Sequence, residues 1–296
     1  MFQSLLEKNP TETIHLLAFL SLFGLLLSAG LEMGLRDFIH SVRRQPLIPT
    51  LSLNFVMIPV VGVVISGFMK LDFESSQSLL LLAAAPFAPV VPLFVGMSRG
   101  NQVLASSFTG IIPFFSGLFT PAALSLGFWL GGIPKPYETS PIEILGATLS
   151  SITLPLFIGT LVQQKNPKLA GVLQKPIGWL AEIAGILSLA CLIYVERSSL
   201  IATTSDAAAS VVLFTETSFM LGWLVARHDV QDRIAMAFGS SNRNIGLGIF
   251  LATNGAGGNA NLSPILSTSL LILGCGLINV AVIRTFSGRC TLNGRP

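Results

Sequence analysis

Phe238–Gly248 reads FGSSNRNIGLG and lies in the middle of an apolar segment, 231–253, that is long enough to cross a bilayer. Three glycines, two serines, two asparagines and an arginine are not what an ordinary membrane helix is made of. A charged group near the bilayer centre costs about 2.5–3.5 kcal/mol on insertion scales before any pairing is counted. Such residues persist where backbone is unwound, or where a water-filled cavity needs polar walls. The stretch reads as a break in a membrane helix, held in place by the rest of the chain.

Composition sets the solvent. Of the 296 residues, 51% are hydrophobic and 10% charged, with a mean hydropathy of +0.74. Soluble domains carry about 25% charged residues, so the chain reads as an all-α polytopic membrane protein. Cys191, Cys275 and Cys290 are scattered and lack metal-ligand spacing, which predicts neither a disulfide framework nor a metal site. The first residues, MFQSLLEKNPTET, lack the basic region, apolar core and small-residue site of a cleaved signal peptide.

At about 20 residues per crossing, nine transmembrane helices are expected, over 13–35, 46–69, 76–98, 102–130, 141–163, 175–195, 200–226, 231–253 and 262–286. No linker separates folding units, so residues 1–296 read as a single transmembrane domain. Basic residues set the orientation. Arg36, Arg43, Arg44, Arg99, Lys165, Lys168, Lys175, Arg227, Arg233, Arg284, Arg289 and Arg295 fall on one side. Lys8, Lys70, Lys135 and Arg197 fall on the other; with Arg243 inside the membrane, twelve, four and one account for all 17. The N-terminus is expected outside and the C-terminus in the cytoplasm, at the plasma (inner) membrane.

Two segments are interrupted. The third holds Pro86-Phe87-Ala88-Pro89-Val90-Val91-Pro92, and each proline removes a backbone donor and clashes with the preceding turn. The eighth holds the opening stretch, with Gly239 and Gly246 flanking its polar run. These segments lie five crossings apart and run in opposite directions, the pattern of a secondary transporter with inverted repeats and a midplane site. Proline and glycine are common in membrane helices generally; it is the matched pair that carries the reading.

Other stretches complete the pattern: Phe23–Phe38 (FGLLLSAGLEMGLRDF), Asn54–Pro59 (NFVMIP), Ser98-Arg99-Gly100-Asn101 closing the third segment, Ser107-Phe108-Thr109 through Phe119-Thr120-Pro121, and Asn244-Ile245-Gly246-Leu247. In this order and at these spacings the chain resembles the bile acid:sodium symporter family, as a divergent bacterial-type member. The resemblance implies a core (46–130 and 200–286) in which the two broken helices cross, and a panel (13–35 and 141–195). It also implies symport of a small organic anion, with sodium as coupling ion.

The sequence departs from the family at its sodium ligands. The family's glutamate aligns with Gly239, its glutamine with Arg243, its Ser-Asn pair with Val91-Pro92, and a serine with Ala105. Thr109, Asn244 and Asn54 remain, so any sodium site is expected near Thr109 and Asn244. Arg243 offers a permanent positive charge in its place. Glu216 lies 12 residues before His228 and Arg243 lies 15 after it, which puts both at a depth of roughly 18–22 Å at about 1.5 Å per residue. The expectation is a Glu216–Arg243 pair replacing the sodium site, or Arg243 binding the substrate anion directly. Glu216 is also deep enough to carry a proton, although pairing with Arg243 would hold it ionised.

Ser240, Ser241, Asn242 and Asn244 are candidate substrate ligands, or else caps for the half-helices. Thr109 is a candidate ligand, or only returns a hydrogen bond to its own helix. Asn279 resembles a family asparagine that lines the substrate cavity. Gly96-Met97-Ser98-Arg99-Gly100 fits G-x-S-x-G, but that motif needs a strand-to-helix turn and a histidine partner. No enzyme, cofactor or nucleic-acid partner is expected. The expected function is alternating-access transport of a small organic anion across the bilayer. The alternatives are a non-transporting sensor or scaffold of the same fold, and an arsenite-exporter-like protein using Cys275.

Overall fold

The computed structural model describes residues 10–32, 47–133, 142, 146, 149–201, 204–226, 229–255 and 263–292. The joins bearing Arg36, Arg43, Arg44, Lys135 and Arg227, together with His40, His228, Lys8 and Arg295, lie outside the described residues. Among the described residues all regular elements are helices, and the one extended pairing is an isolated bridge between Phe87 and Arg243.

In chain order the helices are α1 (Pro10–Glu32), α2 (Leu47–Phe68), α3 (Phe73–Ala84), α4 (Val91–Met97), α5 (Gln102–Gly131), α6 (Leu154–Lys165), α7 (Pro167–Ile201), α8 (Ser205–Val225), α9 (Val230–Ser241), α10 (Ile245–Gly255) and α11 (Ser263–Leu292). Leu47–Phe68, Pro167–Val195, Ser205–Val225 and Ser263–Thr285 are each long and apolar enough to cross a membrane. Their outer faces carry exposed Val64, Phe68, Trp179 and Leu224, which suits lipid rather than water.

Local chemistry fixes the helix ends. The Asp72 side chain accepts from Ser75 N to start α3, and Asn101 accepts from Leu104 N to start α5. Thr204 accepts from Ala207 N to start α8. Each supplies an acceptor for an orphan N–H of the first turn. Gly132, at φ +61°, closes α5 in the left-handed conformation usual after a helix.

Both interrupted segments are broken. Helix α3 ends at Ala84 because Pro86 has no N–H to extend it, and α4 starts at Val91 with Pro92 in its first turn. Helix α9 ends at Ser241, and α10 begins at Ile245 after three intervening residues. A further irregularity lies in α2, where Leu53–Met57 forms a π-helical turn two residues before Pro59.

Helix α1 packs chiefly against α6 and α7, while α8 packs against α9, and α11 touches α3, α4, α7 and α8. Small residues permit the closest approaches. A Cβ on Gly24 would stand 2.7 Å from the Ala181 Cβ, and one on Gly222 would stand 2.6 Å from Ser240 Oγ.

Candidate functional site at the crossing of the broken helices

The two breaks meet. Ala88 N donates to Asn242 O (3.0 Å) and Asn244 N donates to Pro86 O (2.9 Å), so a short antiparallel bridge joins the extended residues of one break to those of the other. Backbone that leaves its helix must find other partners in an apolar interior; here each break supplies them to the other. Phe87 anchors the joint, its ring buried and packed edge-on against Phe108 with centroids 5.8 Å apart. That ring covers Gly239 so closely that a Cβ there would overlap it. The position that the family resemblance assigns to a glutamate is therefore filled by an aromatic ring from the opposite break.

Arg243 is 1% exposed, and its guanidinium reaches into the joint. Its Nε donates to Leu82 O (3.2 Å). Nη1 donates to Asn54 Oδ1 (2.7 Å) and Ser240 O (3.2 Å). Nη2 donates to Ala83 O (2.8 Å) and Asn54 O (3.3 Å). A guanidinium has five N–H donors, so all five are used, and every acceptor is uncharged.

Three of the four backbone acceptors are free for a reason visible in the chain. Leu82 O would ordinarily accept from residue 86, but Pro86 has no N–H, leaving it a shared bond from Ala85 N (3.1 Å). Ser240 O would accept from Asn244 N, which is diverted to Pro86 O. Asn54 O loses Ile58 N to Leu53 O in the π-turn, and the next candidate donor, residue 59, is proline. Leu82 and Ala83 lie in the last turn of α3, and Ser240 in the last turn of α9. A helix C-terminus carries roughly half a negative charge, so two such ends at one point offset about one positive charge. The guanidinium has an electrostatic partner without a carboxylate.

The expected Glu216–Arg243 pair does not form. Asn279 Nδ2 instead donates to Glu216 Oε1 (3.0 Å) and Oε2 (3.2 Å), across the seam between α8 and α11. Equal depth does not bring two side chains together when their helices turn different faces. Arg243 projects from a break toward α2 and α3, whereas Glu216 faces α11. Nor does the guanidinium have a donor left for a substrate anion in this conformation.

The other candidate residues divide by role. Asn54 is buried at the guanidinium, its Nδ2 donating to Thr50 O (3.0 Å). Asn244 Oδ1 accepts from Leu247 N (3.0 Å) and caps α10, with Gly246 beside it. Ser240 Oγ donates back to Met236 O (2.7 Å), and Thr109 Oγ1 to Ala105 O (2.9 Å). Asn242 Nδ2 donates to Phe238 O (3.2 Å) and to Ser241 Oγ (3.1 Å). Its Oδ1 is buried facing Gly276, without a donor among the described residues. Pro86 lends its carbonyl to the bridge, Pro89 lies half-buried inside the first break, and Pro92 opens α4. Ser98, in the G-x-S-x-G run, is buried at a helix-to-helix turn where Arg99 has φ +57°, so there is no strand-to-helix elbow.

The model of the sodium bile acid symporter family matches residues 19–204. The chain belongs to that family. Its members are transporters, and with its apolar helices the chain is an integral membrane protein. A comparison with curated proteins finds no match. The family match takes in Asn54, the first break and α5, and ends before α9. Gly239 and Arg243 therefore lie in the part of this symporter-family chain beyond the matched residues. Sequence reasoning missed two parts of the site. One is Phe87 as the occupant above Gly239; the other is the row of freed carbonyls at Asn54, Leu82, Ala83 and Ser240.

Proposed function

We propose that this protein is a secondary transporter of a small organic anion that works by alternating access, with Arg243 built in where relatives would bind a sodium ion. The observation that carries this reading is the saturation of all five guanidinium donors by acceptors at the crossing. Freed carbonyls and half-helix C-termini are what transporters of broken-helix design offer to a coupling cation. A guanidinium tethered there leaves no place for a second cation, and the side-chain oxygens that sodium would need are replaced by Gly239, Val91, Pro92 and Ala105. The crossing is then organised at all times, and anion movement does not wait for sodium.

The remaining architecture in this reading is nine crossings with an inverted-repeat core and a panel of α1, α6 and α7. The packing of α1 on α6 and α7 supports that grouping. The N-terminus lies outside and the C-terminus in the cytoplasm. The partners are the lipid bilayer and the substrate anion.

Purified protein in liposomes, offered a radiolabelled bile acid and a panel of smaller carboxylates, tests the reading. At least one carboxylate is expected to accumulate equally with sodium or choline outside, and Arg243→Gln is expected to abolish its uptake. Undiminished uptake by Arg243→Gln would refute the assignment. Absence of uptake for every anion would favour a sensor or scaffold of the same fold.

A further inference from the structure

With Arg243 committed elsewhere, Glu216 is a carboxyl group deep in the membrane without a cation among the described residues. It lies 11 residues from Ser205 and nine from Val225 in α8, about 16 and 14 Å from the helix ends at 1.5 Å per residue. The elements packed on α8 are α9, α11 and the 53–68 part of α2. That part of α2 has no titratable side chain. Helix α9 has Asp232 and Arg233 only in its first turn, and Asp232 Oδ1 accepts from Asn101 Nδ2. Helix α11 brings Cys275, four residues before Asn279, and Arg284, exposed and five residues beyond it. On α8 itself, Asp206 is confined to the first turn.

The partner that Glu216 does have suits a group that changes protonation state. Asn279, 9% exposed, spans both carboxylate oxygens with one NH2 group. An amide donates to a carboxylate through its nitrogen and, when turned over, accepts from a carboxylic acid through its oxygen. Arginine or lysine in this position would serve the ionised form alone.

We propose that Glu216, with Asn279, is a proton-binding site that couples anion movement to protons. The carboxylate takes a proton from water on one side, and the amide N–H···O bond gives way to an O–H···O bond. On the other side the proton returns to water and the first arrangement is restored. One proton moving with one monovalent anion makes the cycle electroneutral. Coupling rests on the transport reading above; the existence of the proton site does not.

Infrared difference spectra of the full chain in lipid, between acid and alkaline buffer, read the site directly. Wild type is expected to show a protonated-carboxyl band that is lost in Glu216→Gln and displaced in frequency and midpoint in Asn279→Ala. The Asn279 variant keeps the test open should Glu216→Gln fold poorly. Identical titrating bands in all three proteins would overturn the site. In liposomes, an inward acid jump is expected to stimulate carboxylate uptake by wild type, and that stimulation is expected to be lost in Glu216→Gln. Wild-type uptake indifferent to the acid jump would overturn coupling. A titrating Glu216 band in a protein that moves no anion would overturn the transport reading and leave the proton site standing.

Discussion

Arg243 Nη1 donates to Asn54 Oδ1 across 2.7 Å, tying together residues 189 apart in the chain. The bond joins α2 to the second break, and it is the sole side-chain acceptor among the five. Asn54→Ala is expected to destabilise the protein by about 1.5–3 kcal/mol, as for a lost hydrogen bond to a charged group. Asn54→Asp keeps the acceptor and adds a counter-charge but sets its second oxygen against Thr50 O, so it should melt between the alanine variant and wild type. Thermal unfolding of the two variants in detergent distinguishes this account from one in which Asn54 only packs; there, both would fall equally.

Removing the guanidinium exposes its sockets. Arg243→Ala leaves the Ala83, Ser240 and Asn54 carbonyls and the Asn54 amide oxygen without donors in a buried site, and Leu82 O with only its shared bond from Ala85 N, at about 1–3 kcal/mol for each group left unsatisfied. Free guanidinium ion at low millimolar concentration is expected to raise the melting temperature of this variant and leave wild type unchanged. Arg243→Lys has three donors for five acceptors and should fall between the two. A variant indifferent to guanidinium would mean that the joint collapses when the side chain goes.

Gly239 and Phe87 form a size-complementary pair. Because a Cβ on Gly239 would overlap the Phe87 ring, Gly239→Ala is expected to cost about 1–3 kcal/mol through overpacking. Phe87→Leu, harmful alone, should recover part of that loss in the double variant. Additive losses in the double-mutant cycle would show that the two positions do not press on each other.

The cap on α10 gives a local prediction. Asn244→Ala removes the acceptor for Leu247 N and should cost about 1 kcal/mol. Asn244→Asp restores it. Amide hydrogen exchange should quicken in the first turn of α10 for the alanine variant and remain as in wild type for the aspartate variant.

Much of this site can be read from the chain, because proline and glycine act locally. Pro86, Pro89 and Pro92 in one segment, and the glycine–asparagine run in another, announced both breaks without knowledge of any contact. The partner of Arg243 was hidden for a different reason. Counting residues gives depth along a helix, and by depth Glu216 was a reasonable partner; the count does not say which way a side chain turns once it leaves an irregular backbone. The true acceptors are mostly carbonyls, which every residue has. In hindsight their signal is again proline: Pro86 four residues after Leu82, and Pro59 five after Asn54, each withholding the N–H that would have occupied the oxygen. Phe87 above Gly239 had no such signal, since the fit depends on the crossing itself.

The central claim is that a tethered guanidinium has replaced a bound sodium ion. A ligand that binds only the native state raises stability by mass action, so the direct test is the melting temperature of the purified wild-type protein against sodium concentration, with choline holding ionic strength constant. The account predicts a flat response. A saturable, sodium-specific rise would contradict it and show that a sodium site coexists with Arg243.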